Sequence, residues 1–298
     1  MDGRLLLAEI RGRPIDLVPG KKVISINPGE WTSPFEGKGF EPRGYRDFVL
    51  GDSPRQIHLP TSARRGVPTI VERVALRDFK LMIIVDLSPS MRVRDKLRIQ
   101  HEAAAIMLYA AWQAETTFAL AVRTAEGIHS YGLGIGSRHF YHSFRILWSL
   151  CTDDEHFRLR GSTIHLRRCL PPNAMLLYCS DFLDEDGGIA RVQPLLRAIT
   201  RYDFIPIVIQ DQLEVSFPHS RHDSLISFGN PETAVREDFW VSQSAAERIA
   251  MIHETRYREL VAQFAKRDIK PLHLYESGVN GIRATIDTYF RRRRRSSS

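Results

Sequence analysis

Four short apolar runs separated by helix-length segments constrain the fold of this chain more than any other feature. Leu81–Val85, Thr117–Val122, Met175–Ser180 and Phe204–Ile209 each read as a strand with little polar alternation. Strands that are apolar on both faces belong in a sheet covered on both sides, and the helical stretches between them supply the cover. Lys96–Glu115 has helical character, and its stretch Ala103–Trp112 is apolar almost all round, so this helix should be buried. Thr117–Val122 and Ile128–Leu133 look like a hairpin turning at Glu126-Gly127, hence antiparallel and at one sheet edge. His139–Leu150, Thr163–Leu170, Gly188–Arg201, Ser244–Arg267 and Asn280–Tyr289 read as further helices, and Ile269–Leu274 as a last strand. Pro206 lacks a donor and argues for an edge-facing or early-strand position. The pattern predicts a doubly wound α/β domain over residues 80–290, with a mostly parallel sheet and one antiparallel edge.

Before this region the pattern changes. Eight of the sixteen prolines fall by Pro68, so residues 1–79 are expected to form an extended, irregular or β arm packed on the α/β body. The net charge is +7, but five of those charges are Arg291–Arg295, which leaves the rest near +2. Residues 291–298 therefore read as a basic, disordered, solubilising tail, or else as a non-specific attractor of phosphates and acidic surfaces. No basic patch with interleaved aromatics points to a specific nucleic-acid partner.

Cys151, Cys169 and Cys179 form no CxxC pair and fit thiols in a reducing compartment. The N-terminus lacks a secretory pattern, and the longest apolar stretch has ten residues, about half of a bilayer span. A cytoplasmic protein without a membrane span is the expectation.

Asp86-Leu87-Ser88-Pro89-Ser90 places a carboxylate and two hydroxyls at alternate positions where the first buried strand should end. A chain leaving a strand turns sharply, so such residues converge, and oxygen-only donors suit a hard cation: Mg2+, or else Ca2+ or Mn2+. One loop cannot supply the roughly six oxygens that magnesium takes. Gly161-Ser162-Thr163 and Asp181, which follows Met175–Ser180, are the candidates for the remainder, since ligand sites in open parallel sheets gather at the carboxyl ends of strands. Each part also has an ordinary structural reading: the triplet as an Asx-turn or cap, Thr163 as a helix N-cap, Asp181 as the start of a turn. In this order Asp86, Ser88, Ser90, Thr163 and Asp181 resemble the metal-ion-dependent adhesion site of von Willebrand factor A domains.

A second resemblance rests on Gly44-Tyr45-Arg46-Asp47-Phe48-Val49-Leu50-Gly51-Asp52-Ser53-Pro54-Arg55-Gln56-Ile57-His58, then Ser62-Ala63-Arg64-Arg65-Gly66 and Val71-Glu72-Arg73. This is similar to the signature that precedes the A-like domain in the bacterial domain-of-unknown-function family numbered 58. The chain departs from it at Ser53, His58 and Leu59, where the family usually has Asp, Asp and Trp. The resemblance covers residues 40–210 and implies a von Willebrand factor A-like fold. Many relatives carry membrane helices before this region, so this chain looks like a soluble branch. Members are commonly encoded beside MoxR-type AAA+ ATPases, which the resemblance implies as a partner. Arg55, Arg64 and Arg65 are candidates for a partner-binding patch, or for ties between the arm and acidic groups; His58 reads more readily as a hydrogen-bonded packing residue than as a ligand.

These readings lead to a non-enzymatic, metal-dependent interaction module that acts with the ATPase in maturation or metal insertion of a client offering an acidic side chain. Some members lie in methanol-oxidation gene clusters, where the resemblance would imply methanol dehydrogenase as the client. One alternative is metal-assisted hydrolysis or phosphoryl transfer at the same cation, although no Walker loop, HExxH or G-x-S-x-G is present. Another is a structural domain with a vestigial site.

Overall fold

In the computed structural model, the buried runs pair edge to edge into one seven-stranded sheet. Residues 3–12, 15, 17, 42–48, 57–73, 80–124, 127–151, 162–163, 170, 174–183, 202–211, 214, 223–229 and 236–296 are described. In chain order the elements are α1 (Gly3–Ile10), β1 (Pro42–Asp47), α2 (Leu59–Arg65), β2 (Thr69–Arg73), β3 (Lys80–Asp86), α3 (Lys96–Gln113), β4 (Thr117–Thr124), β5 (Gly127–Ser130) and α4 (Gly136–Cys151). They continue with β6 (Ser162–Thr163), β7 (Met175–Ser180), β8 (Asp203–Ile209), β9 (Ser224–Gly229), β10 (Arg236–Val241), α5 (Gln243–Ala265), β11 (Leu272–Leu274) and α6 (Val279–Ser296).

The sheet order is β11-β8-β7-β3-β4-β5-β6. Every pair from β11 to β4 is parallel, while β4/β5 and β5/β6 are antiparallel. This is the mostly parallel α/β sheet with an antiparallel edge that the sequence leads one to expect. The hairpin turns where Glu126-Gly127 predicted, and β5 closes against β4 from Gly127 onward. Pro206 sits on the interior strand β8, but β11 meets β8 only from Ile207, so the short neighbour leaves that side of the proline unpaired.

Strand β3 shows why the runs are apolar without alternation. Leu81, Ile83 and Val85 enter one core with α1, α3, α4 and α6, whereas Met82 and Ile84 enter the opposite core with Leu260, Phe264 and Ile269. Both faces are covered, so neither parity of the strand can be polar. Each large apolar side chain buried in this way contributes roughly 1.5–3 kcal/mol. Helix α3 is sunk in the first core as expected, with Ala103 through Leu108 all at most 1% exposed.

The ends of the chain differ from expectation. The chain divides into two compact units, Met1–Lys22 with Phe79–Ser298, and Val23–Asp78. The first residues are thus part of the α/β unit rather than an arm: α1 puts Leu6 and Ile10, four apart on one helical face, into the main core. At the other end, Arg291–Arg295 are helical instead of forming a disordered tail. Val279, Ile282, Ile286 and Phe290 make a buried stripe along α6, and Arg293 continues that stripe to pair with the nearly buried Asp203. Thr163 ends a strand, β6, where its backbone partner is His129 on β5, and residues 164–169 of the expected helix Thr163–Leu170 lie outside the described residues. The expected helix Gly188–Arg201 lies outside the described residues. The β9/β10 hairpin was not foreseen. No described helix is long and apolar enough to cross a membrane.

In the smaller unit β1 and β2 pair antiparallel, and α2 leads into β2. The family-like segment has a local physical role here. His58 caps α2 and its Nδ1 lies 2.8 Å from the Thr61 hydroxyl, while the Ser62 hydroxyl accepts the Thr69 amide at 2.8 Å and so ties helix to strand. Arg65 pairs with Asp47 at 3.3 Å in an exposed position, which is worth at most about 1 kcal/mol. Arg64 is exposed on the same helix, and Arg55 lies outside the described residues.

Candidate cation site at the carboxyl edge of the sheet

Strands β3 and β7 are neighbours and run parallel, so their carboxyl ends deliver Asp86 and Asp181 to one place. Both carboxylates are 1% exposed, whereas Ser88 and Ser90 in the loop after β3 are partly open to solvent. Two residues in left-handed backbone conformations shape these loops: Arg94 at φ 52° and Phe182 at φ 58°. For a bulky side chain such as Phe182 this conformation is costly, and such residues are held where the surroundings over-determine them. Here the Phe182 ring packs edge-on against Phe264 in the core that holds Met82 and Ile84, and its amide donates to the Ser180 hydroxyl at 3.0 Å.

The hydrogen bonds around Asp86 account for each oxygen. Oδ1 accepts the Ser88 amide at 3.0 Å, the Asx-turn anticipated for this triplet. Oδ2 accepts the Ser180 hydroxyl at 2.7 Å and Arg123 Nη1 at 3.0 Å. The backbone of Asp86 is pinned from α3, where Gln100 accepts its N–H at 3.1 Å and donates to its carbonyl at 2.8 Å. Asp181 uses Oδ1 to accept the Leu183 amide at 3.1 Å, and its carbonyl accepts from Gln210 at 3.0 Å. Its Oδ2 accepts from Lys96 Nζ at 3.0 Å, and the same ammonium donates to Glu214 Oε1 at 2.6 Å. Each buried carboxylate therefore carries a resident cation, as burial of an ionised group requires.

The Ser88 and Ser90 hydroxyl oxygens stand 3.1 Å apart, bonded to one another. An octahedral magnesium with metal–oxygen distances of about 2.1 Å has edges of about 3.0 Å, so this pair fits one edge of such a shell. The anionic oxygens nearest in the fold are those of Asp86, in the same loop, and Asp181, at the end of the neighbouring strand. Thr163 occupies the same row of the sheet, through His129, Val122 and Val85, but three strands away, roughly 14 Å at the usual ~4.8 Å spacing. Its side chain lies outside the described residues. Asp86, Ser88 and Ser90 are thus linked in one loop, Asp181 follows the carboxyl end of the neighbouring strand, and the backbone of Thr163 lies at the sheet edge. Among the described residues, no group of three or more His, Cys, Asp or Glu forms a metal-binding cluster, and the gathered donors are two carboxylates and two hydroxyls.

Neighbouring groups are chemically quiet. Burial and then the Asp86 charge push the Cys179 thiol up to about 12, and the same two causes raise the Tyr178 hydroxyl well above its ordinary range. Both stay protonated at neutral pH, so neither is a ready nucleophile. Lys96, Gln100, Arg123 and Glu214 escaped the sequence reading. None left a local signal: Lys96 opens a helix whose first turns also carry Arg98, Gln100, His101 and Glu102, so it reads as an ordinary polar residue of a helix start.

The family model described as "Protein of unknown function DUF58" matches residues 44–259. The chain belongs to this family. The DUF58 match takes in both units and every loop of the candidate site. Uncharacterized protein Mb1516 of Mycobacterium bovis and Uncharacterized protein Rv1480 of Mycobacterium tuberculosis are each 22% identical over 256 residues, covering 82% of this chain and 79% of theirs. The pilus adhesin SpaC of Lactobacillus rhamnosus GG, in its open conformation, aligns with 75% of this chain at 10% identity and a TM-score of 0.34. The chain spans 30% of that adhesin's length, and a likeness at this level carries no functional argument.

Proposed function

We propose that this DUF58 chain is a non-enzymatic, divalent-metal-dependent protein-interaction module of the von Willebrand factor A-like type. It would act with a MoxR-type AAA+ ATPase in the maturation or metal insertion of a client protein. The ATPase, and methanol dehydrogenase as one client, follow from the family resemblance. The observation that carries the reading is the Ser88/Ser90 hydroxyl pair, half-buried and 3.1 Å apart, in the loop that leaves the buried Asp86, with the buried Asp181 at the carboxyl end of the adjacent strand. The strand order, with the site at the carboxyl ends of its central parallel strands, supports the same reading.

Asp86, Ser88, Ser90 and Asp181 would hold the ion, which when bound supplies a concentrated positive charge for an acidic group of the client. The chain's own residues do the rest. Gln100 fixes the backbone of Asp86, Arg123 and Ser180 orient its carboxylate, and the Asx-turn fixes Ser88 relative to Asp86.

The test is retention of the MoxR-type ATPase encoded by the same genome on immobilised full-length chain. Retention is expected with Mg2+, lost with chelator, and lost in Ser88→Ala even when Mg2+ is present. Retention that ignores both chelator and Ser88→Ala would sink the proposal.

A further inference from the structure

Lys96 is the least expected member of the candidate site. It opens α3, yet its side chain is only 1% exposed, with Nζ held between Asp181 Oδ2 at 3.0 Å and Glu214 Oε1 at 2.6 Å. An ammonium taken out of water costs several kcal/mol unless it is closely paired, and here one cation meets two anions. Glu214 is itself set in place: its Oε2 accepts the Asp211 amide at 2.9 Å, and Arg94 reaches Asp211 at 3.4 Å. The turn after β8 is therefore fastened to the loop after β3 through this ammonium and the Arg94–Asp211 pair.

A divalent ion ligated by Asp181 would stand within a few ångströms of the Lys96 ammonium. Like charges that close repel strongly where water is scarce, so the two cations compete for the carboxylate. Glu214 provides the second seat, partly exposed and already within hydrogen-bond reach.

We infer that Lys96 is a resident counter-ion of the site, which holds Asp181 until a divalent ion displaces it wholly onto Glu214. Glu214 thereby sets the metal affinity of a pocket it does not ligate, and metal uptake is coupled to the Asp211–Glu214 turn. The inference rests on the reading of Asp86, Ser88, Ser90 and Asp181 as a cation site. It gives Lys96 and Glu214 the part of positioning residues.

The experiment is Mn2+ titration of the full-length chain, with free ion measured by its electron paramagnetic resonance signal. Wild type is compared with Lys96→Met, Glu214→Gln and, as a charge control, Arg291→Gln on the exposed face of α6. Folding of each variant is checked by circular dichroism. Lys96→Met is expected to tighten Mn2+ at least tenfold, Glu214→Gln to weaken it at least tenfold, and Arg291→Gln to change it less than twofold. Binding only by Lys96→Met also supports the inference, with the ammonium as the excluding group. Saturable binding that is equal in wild type and Glu214→Gln overturns the counter-ion role while leaving the cation site standing; if Lys96→Met does not fold, the Glu214→Gln comparison alone decides. Absence of Mn2+ binding at millimolar metal in wild type and in every folded variant overturns the cation site itself.

Discussion

His101 gives the fold a sharp dependence on pH whose size follows from its burial. It lies in the interior of α3, 2% exposed, with Nδ1 2.6 Å from the Leu97 carbonyl. Burial lowers its pKa from 6.5 to about 4, only partly opposed by the carbonyls of Leu97 and Leu147. The folded state therefore favours the neutral ring. Above pH 6.5 neither state binds the proton and the full stability is present. As pH falls, the unfolded chain binds the proton first, and stability is lost down to about pH 4. A tenfold change in proton affinity is worth about 1.4 kcal/mol, so the complete loss is about 3 kcal/mol, of which about 2 kcal/mol falls between pH 7 and pH 5. Urea unfolding at pH 7, 6 and 5, followed by tryptophan fluorescence, measures it. Burial also lowers His139 and His273, so the wild-type curve alone is not diagnostic; the difference from His101→Leu is. The variant should lose about 2 kcal/mol less than wild type over that interval. Parallel stability curves for the two proteins would refute the assignment.

Further outcomes follow from the same packing. Arg293→Ala takes from the nearly buried Asp203 its Arg293 partner and should cost about 2–3 kcal/mol in urea unfolding, whereas Arg291→Ala, whose pair with Asp287 is largely exposed, should cost less than about 0.5 kcal/mol. Equal costs would mean that the arginine run is a solvated end after all. Gln100→Leu removes both hydrogen bonds that pin the Asp86 backbone and should destabilise by about 2–4 kcal/mol, read as a lowered urea midpoint with an unchanged slope.

What could be read from the residues was whatever a single local pattern controls. The continuous apolar runs named β3, β4, β7 and β8 because a strand covered on both faces has no polar parity to hide. The alternate oxygens of Asp86, Ser88 and Ser90 named the loop because a turn after a strand brings such positions together. In the arginine run, composition and period point in opposite directions. Charge density suggests a solvated tail, but the spacing 279, 282, 286, 290, 293 extends an amphipathic stripe straight through it, and the middle arginine is on the buried side.

Lys96 marks the harder limit. Its partners are 85 and 118 residues away, on loops that adjoin only because β7 and β8 lie side by side in the sheet. A lysine at the head of a helix reads by every local rule as a solvated residue, and its burial is decided by topology. Oxygen spacing along one loop is thus sufficient to propose a cation site, but not to foresee that one of its carboxylates already carries an ammonium. A divalent ion at the proposed site would compete with the Lys96–Asp181 pair rather than with water alone.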